Sequence, residues 1–124
     1  MINSLQEKIE QNNRKYGEGN WRFGYVSLTT HGYPAQVAIS KRNREMIGDV
    51  NANRLDLIRE YCDATTIIEF NGCEIGAINS DRNGALFLQN VSNITGAIVI
   101  GYTGKGYIGG TYNVGDKITR YPIQ

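Results

Sequence analysis

Hydrophobic and polar positions along this chain follow two rhythms, one helical and one alternating. Leu5, Ile9 and Tyr16 place apolar side chains on one face of a helix predicted over 5–16. Ser4 and Glu7 have the spacing of a capping box, Arg14 and Lys15 suit the negative C-terminal end, and Gly17 supplies a stop. Trp21 to Thr30 and Ala35 to Ser40 read as strands joined through His31-Gly32-Tyr33-Pro34. Lys41-Arg42-Asn43-Arg44 opens a polar stretch that reads either as a short helix ending at Gly48 or as a loop. A clearer helix, RLDLIREYCDA, turns Leu55, Ile58 and Cys62 inward and sets Arg59 four residues before Asp63 as an ion pair.

The second half reads as sheet. In TIIEFNGCEIGAI, Asn71-Gly72 lies between two apolar runs, the signature of a two-residue hairpin. Ser80 to Gly84 turns the chain into Ala85-Leu86-Phe87-Leu88, read as a buried strand, and Ser92-Asn93 breaks it. Ile94, Ile98 and Ile100 share one parity while Ala97 and Val99 fill the other, so a central strand is predicted there. Thr103 to Gly106 then turns, Tyr107-Ile108 and Thr111 to Val114 return, and Gly115-Asp116 leads into Lys117 to Tyr121. The expected fold is α+β: an antiparallel β-sheet meander with two to three α-helices packed on one face, as a single domain over 1–124.

One motif in that half invites another reading. Gly104-Lys105-Gly106-Tyr107-Ile108-Gly109 has the spacing G-x-G-x-x-G of a dinucleotide-binding turn. Such a turn opens a helix, whereas Gly110-Thr111-Tyr112-Asn113-Val114-Gly115 begins no helical pattern, and each further glycine costs a helix about 1 kcal/mol. A phosphate loop fails too, because Lys105 is followed by glycine instead of Ser or Thr. Seven of the 15 glycines lie between 96 and 115, a density that marks bulges or close approach of a neighbour or ligand.

Charge narrows the partners. The net value is +1, and basic groups outnumber acidic ones seven to three over 1–44 and four to one over 82–124, with two against eight between. A near-neutral sum argues against a DNA or RNA polymer as partner, which needs a broad basic face. The sequence carries no apolar run of 18 residues and no charged-then-apolar leader, so neither a membrane nor export is expected. Cys62 and Cys73 then read as reduced, mostly buried thiols, and the expected location is the cytoplasm.

Reaction chemistry has little to work with. His31 is the single histidine and sits in a turn signal, so no two-histidine metal site exists in one chain. The two cysteines lack a C-x-x-C spacing, and Asp56 with Glu60 reads as a solvated ion-pair face around Arg59. No enzyme, no metal and no cofactor are expected. A binding kit for an anionic, ring-bearing molecule is better represented. Arg54, Arg59, Arg82, Lys105 and Arg120 can take phosphates, and Gly106 and its neighbours leave backbone amides accessible. Trp21, Phe87, Tyr102, Tyr107 and Tyr112 offer rings, and Asn90 or Asn93 can pair with an adenine edge.

The order of helix, hairpin, RLDLIREYC, TTIIEFNGCEIGAI and a glycine-rich C-terminal sheet resembles the phage Thoeris anti-defense sponge proteins of the first described type. The resemblance implies dimers assembling into hexamers that bind cyclic ADP-ribose isomers made by TIR-domain defense enzymes. The signal would be sequestered without cleavage, and cyclic oligonucleotides could occupy a second site. It also implies an aromatic side chain and an asparagine gripping adenine while arginines hold phosphate. Phe87 with Asn90 or Asn93, and Arg54, Arg82 or Arg120, are the matching residue types. The alternative is a protein–protein module that blocks a host defense or replication protein by β-edge pairing or through its acidic middle segment.

Overall fold

A computed structural model describes residues 2–29, 32–33, 36–40, 45–48, 52–71, 74–78, 83–104 and 115–123. The opening helix α1 runs from Ile2 to Tyr16 and buries Leu5 and Ile9. Because it begins at Ile2, Ser4 lies inside it and the Ser4–Glu7 capping box is not its start. Strands β1 (Tyr25–Thr29), β2 (Gly32–Tyr33), β3 (Gln36–Ser40) and β4 (Glu45–Ile47) follow. In place of the short helix or loop read up to Gly48, residues 45–47 form a strand pairing antiparallel with β3.

The middle helix is a ten-residue 3₁₀ helix, η1, from Ala52 to Tyr61. Its buried residues are Ala52, Leu55, Ile58 and Tyr61, a strict spacing of three. Three residues per turn eclipse such positions into one stripe, whereas an α-helix would fan them out. The repeat therefore fits the tighter helix, and packing of that stripe accounts for a length that 3₁₀ geometry rarely reaches. Leu55, Ile58 and Cys62 do face inward, as the pattern requires.

Beyond η1 the chain forms β5 (Ile67–Asn71), α2 (Gly84–Thr95), β6 (Ile98–Tyr102) and β7 (Lys117–Arg120). The main sheet has the order β1-β5-β6-β7, and β2-β3-β4 form a second, smaller sheet. The class is α+β, but the main sheet is mixed. Strands β1 and β5 are parallel, β5 and β6 are parallel, and only β6 with β7 is antiparallel.

Two readings fail for one reason. Parallel neighbours need a crossover of a dozen or more residues, and α2 supplies it between β5 and β6. Both edges of β5 are then occupied, so the apolar run after Asn71-Gly72 cannot return beside it as a hairpin. Instead the Glu74–Ala77 turn docks at the end of β6, where the Gly76 amide donates to the Tyr102 carbonyl at 2.9 Å. The Ala85–Leu88 run is helix, not strand. Its Asn83 cap accepts from the Leu86 amide, Phe87, Leu88, Val91 and Thr95 are buried at helical spacing, and Gly96 closes it in the left-handed conformation.

The core is one cluster that joins Leu5 and Ile9 of α1, the η1 stripe, Val26, Ile68, Phe70 and Val99 of the sheet, and Phe87, Leu88 and Val91 of α2. Gly101 permits the close approach of α2 to β6, since a Cβ there would lie 2.9 Å from Leu88 Cδ1 and from Ile75 Cγ2. No helix among the described residues is long and apolar enough to cross a membrane.

Candidate functional site

The arrangement that could hold a small molecule lies between α1 and the segment that follows it. Gly17 and Gly19 both adopt positive φ, +88° and +82°, which lets the chain reverse within a few residues. The Gly17 amide donates to the Asn13 carbonyl at 3.0 Å, ending the helix where the sequence pattern places the stop. Asn20 then ties the turn to the helix, its side-chain amide donating to the Tyr16 carbonyl at 3.1 Å.

The reversal lays Trp21 back against α1. Its indole Nε1 donates to Asn13 Oδ1 at 2.8 Å. Its ring stacks on Tyr61 at the end of η1, centroids 4.6 Å apart and planes within 9° of parallel. Phe23 meets the Trp21 ring edge-on, at 4.9 Å and 82°. The strip is held from the other side as well: the Phe23 amide donates to Tyr61 O at 2.7 Å, the Thr66 hydroxyl donates to Phe23 O at 2.6 Å, and the Ile67 amide donates to Gly24 O at 3.0 Å.

These contacts frame an open groove of about 520 Å³. One wall is the α1 face carrying Lys8, Asn12 and Tyr16, spaced four residues apart and so stacked along the helix. The other is Asn20, Trp21, Arg22, Phe23 and Gly24. Among the described residues two cations, two side-chain amides and three rings line it, and no carboxylate does. Tyr16 is correspondingly 52% exposed instead of packed with Leu5 and Ile9, and Lys15 Nζ lies 5.2 Å from its ring centroid. The volume falls within the range of roughly 300–1,000 Å³ usual for small-molecule sites.

Behind the groove, burial pushes the Cys62 thiol up from 9.0 to about 11. The Asp63 carboxyl is held below its ordinary value, first by the Thr65 hydroxyl and then by the Thr65 amide, with the Arg22 charge adding to the effect. A second polar cluster sits on the sheet face turned away from the core. There Tyr25 and Tyr102 donate their hydroxyls to the two oxygens of Glu69, and Asn71 donates to the Ser27 hydroxyl at 2.7 Å. The Glu69 carboxylate raises the Tyr25 phenol, and burial adds to it.

The residues singled out from the sequence are mostly elsewhere. Phe87 is fully buried and lies 6.1 Å from the Phe70 ring, so it is a core residue with no face for a base. Its helix, not a strand, decides this, because position 87 falls in the middle of the inward stripe. Arg59 donates to the carbonyls of Asn93 and Ile94 at 2.9 and 2.8 Å, which caps the C-terminal end of α2. It serves that helix end, while Asp63, its expected ion-pair partner, accepts from Thr65.

Asn93 Oδ1 accepts from Gln89 Nε2 at 3.0 Å and from the Ile123 amide at 2.9 Å, fastening the C-terminal segment to α2. Arg59 and Asn93 are therefore brought together, but as structural groups. Arg54 is exposed on η1, Asn90 is half-buried on α2, and Arg120 on β7 donates to the Thr119 carbonyl at 2.9 Å. Arg82, Lys105, Gly106 and Tyr107 lie outside the described residues, as do His31, Cys73 and the returning strand expected at 107–114.

Sequence reasoning counted Trp21 among the rings but passed over Lys8, Asn12, Asn20, Arg22 and Phe23. Two signals were available: the i, i+4, i+8 ladder of Lys8, Asn12 and Tyr16, and the Trp-Arg-Phe run after two close glycines. Among known proteins, no family model, no curated protein and no solved structure matches the chain.

Proposed function

We propose that this chain binds a cyclic nucleotide signal of the cyclic ADP-ribose type in the α1 groove and sequesters it without cleavage. The observation that carries the proposal is the lining of that groove: Lys8 and Arg22 for phosphate, Trp21 and Phe23 for a base, and the Asn12 and Asn20 amides for its edge. An acid-free lining suits an anionic ligand, since a carboxylate near phosphate would repel it. The proposal includes the cell cytoplasm as the place of action, an assembly of identical subunits, and a role countering TIR-based antiphage defense. These rest on the resemblance of the sequence to the Thoeris sponge proteins.

The test is a thermal-shift screen with cyclic ADP-ribose isomers and cyclic oligonucleotides, read alongside the emission of Trp21. Trp21 is the one tryptophan in the chain, so its fluorescence reports on the groove directly. A ligand at 100 times its Kd adds about 2.7 kcal/mol of stability. Release of the intact molecule after heating supports sequestration. Release of a fragment makes the protein an enzyme, and no shift with unchanged emission removes the proposal.

A second reading has one observation in its favour. Among the described residues β1 and β7 are the outer strands of the main sheet, and an outer strand is a template for pairing with another protein. Under that reading a protein partner is retained on the immobilised chain while the nucleotide screen stays flat.

A further inference from the structure

We infer that Asn13 is the positioning residue of the groove, fixing the Trp21 ring as a rigid stacking surface for a base. The inference rests on the groove reading above and goes beyond it by assigning a role to a side chain that does not line the groove.

An indole N–H only donates, so the Asn13 atom facing it at 2.8 Å must be the carbonyl oxygen. That orients the side chain and turns its amide nitrogen toward the Tyr61 hydroxyl, 3.5 Å away, which can accept. One short side chain thus holds both rings of the Trp21–Tyr61 stack from the same edge. The stack is tight and nearly parallel, and the Phe23 ring lies against the indole close to perpendicular. Tyr61 is itself buried, with 6% of its surface exposed, and ends the η1 stripe, so the ring beneath Trp21 is anchored in the core.

Half-buried Trp21 has its polar atom bonded and one face covered, and it lines the groove. A ring held this way loses little further freedom when a base stacks on it, which is the general advantage of preorganisation. Without Asn13 the indole N–H would need water, and the ring could turn about its side-chain torsions away from Tyr61. Affinity for a stacked base would fall, while charge attraction from Lys8 and Arg22 would persist.

Two variants separate the latch from mere loss of folding. Asn13→Leu removes both hydrogen bonds. Asn13→Asp keeps an acceptor for the indole and a second acceptor for the Tyr61 hydroxyl, which can reverse its role to donate. In ligand-free protein, acrylamide quenching of Trp21 should rise at least about twofold in Asn13→Leu and stay near wild type in Asn13→Asp, as expected when a supporting bond holds a ring in place. With cyclic ADP-ribose as the probe, Asn13→Leu should weaken binding by about tenfold at a melting temperature close to wild type. Quenching in Asn13→Leu indistinguishable from wild type overturns the inference, and so does an equal rise in both variants. If wild type binds no nucleotide, the proposed function fails while the ligand-free arm still decides whether Asn13 holds the ring.

Discussion

At the C-terminal end of α2, the Arg59 guanidinium meets two backbone carbonyls and the Asn93 side chain holds the C-terminal segment. In the groove beside α1, Lys8 and Arg22 flank rings and amides around open volume. Both regions combine cations, asparagines and aromatic residues, so composition alone treats them alike. They differ in what the backbone leaves unsatisfied. The end of a helix presents carbonyls without partners, and a nearby arginine is drawn to them. The groove's helix wall presents side chains from a continuous helix face, and in its strip the Phe23 amide and carbonyl and the Gly24 carbonyl are bonded to Tyr61, Thr66 and Ile67. Arg59 is held by two carbonyls of a helix end 34 and 35 residues away, whereas in the groove Arg22 donates only to its neighbour's carbonyl, Trp21 O, at 2.8 Å.

The largest expected effect is at Phe87, a ring that the sequence also offered for stacking and that lies in the core. Phe87→Ala should destabilise the protein by about 3–5 kcal/mol in urea unfolding, the cost of a large core cavity. Any loss of nucleotide binding should track unfolding. A fully folded Phe87→Ala protein that no longer binds would return the base site to α2.

The next effect concerns the wall behind the groove. A thiol whose folded value is about 11 against 9.0 stays neutral while the unfolded chain ionises, so stability is full below pH 9 and lost as pH rises toward 11. Solvent screening of a thiol that is only partly enclosed reduces the effect of this difference to about 1 kcal/mol. Comparing wild type with Cys62→Ala between pH 8 and 11 isolates it: the alanine variant should lack that part of the decline, and parallel curves would contradict the burial argument.

Lys8→Ala and Arg22→Ala sharpen the comparison from the other side. Each should weaken nucleotide binding by about tenfold, or about 1.4 kcal/mol, with little change in melting temperature. Titration calorimetry at two salt concentrations checks it, since a phosphate contact also reduces the salt dependence. Arg59→Ala should do the reverse and by less, costing about 1 kcal/mol of stability at the helix end with affinity unchanged. Were Arg59→Ala to abolish binding without destabilising, the two regions would have exchanged roles.

Much of the architecture was legible along the chain. The opening helix, its glycine stop, strands within the segments expected at β1, β3, β6 and β7, and the inward set Leu55, Ile58 and Cys62 all follow from local pattern, because each depends on residues close together in sequence. The Asn71-Gly72 hairpin and the Ala85–Leu88 strand did not follow. A two-residue turn signal states only that a hairpin is locally affordable, and occupation of both β5 edges by parallel partners overrides it. A four-residue apolar run fits a strand or the inward face of a helix, and only the longer stripe from Phe87 to Thr95 with its Asn83 and Gly96 caps separates them.

An α+β chain rich in rings, cations and amides follows from the residues read in order. The helix stop at Gly17 follows locally as well, since a conformation with positive φ favours glycine whatever surrounds it. Tertiary structure alone decided which rings and cations meet. Trp21 and Tyr61 are 40 residues apart, and nothing local relates them. They stack because η1 buries every third residue and ends at Tyr61, while the reversed chain brings Trp21 back over it. Long-range packing of that kind has no sequence period, and it is what places the groove at α1 instead of at Phe87.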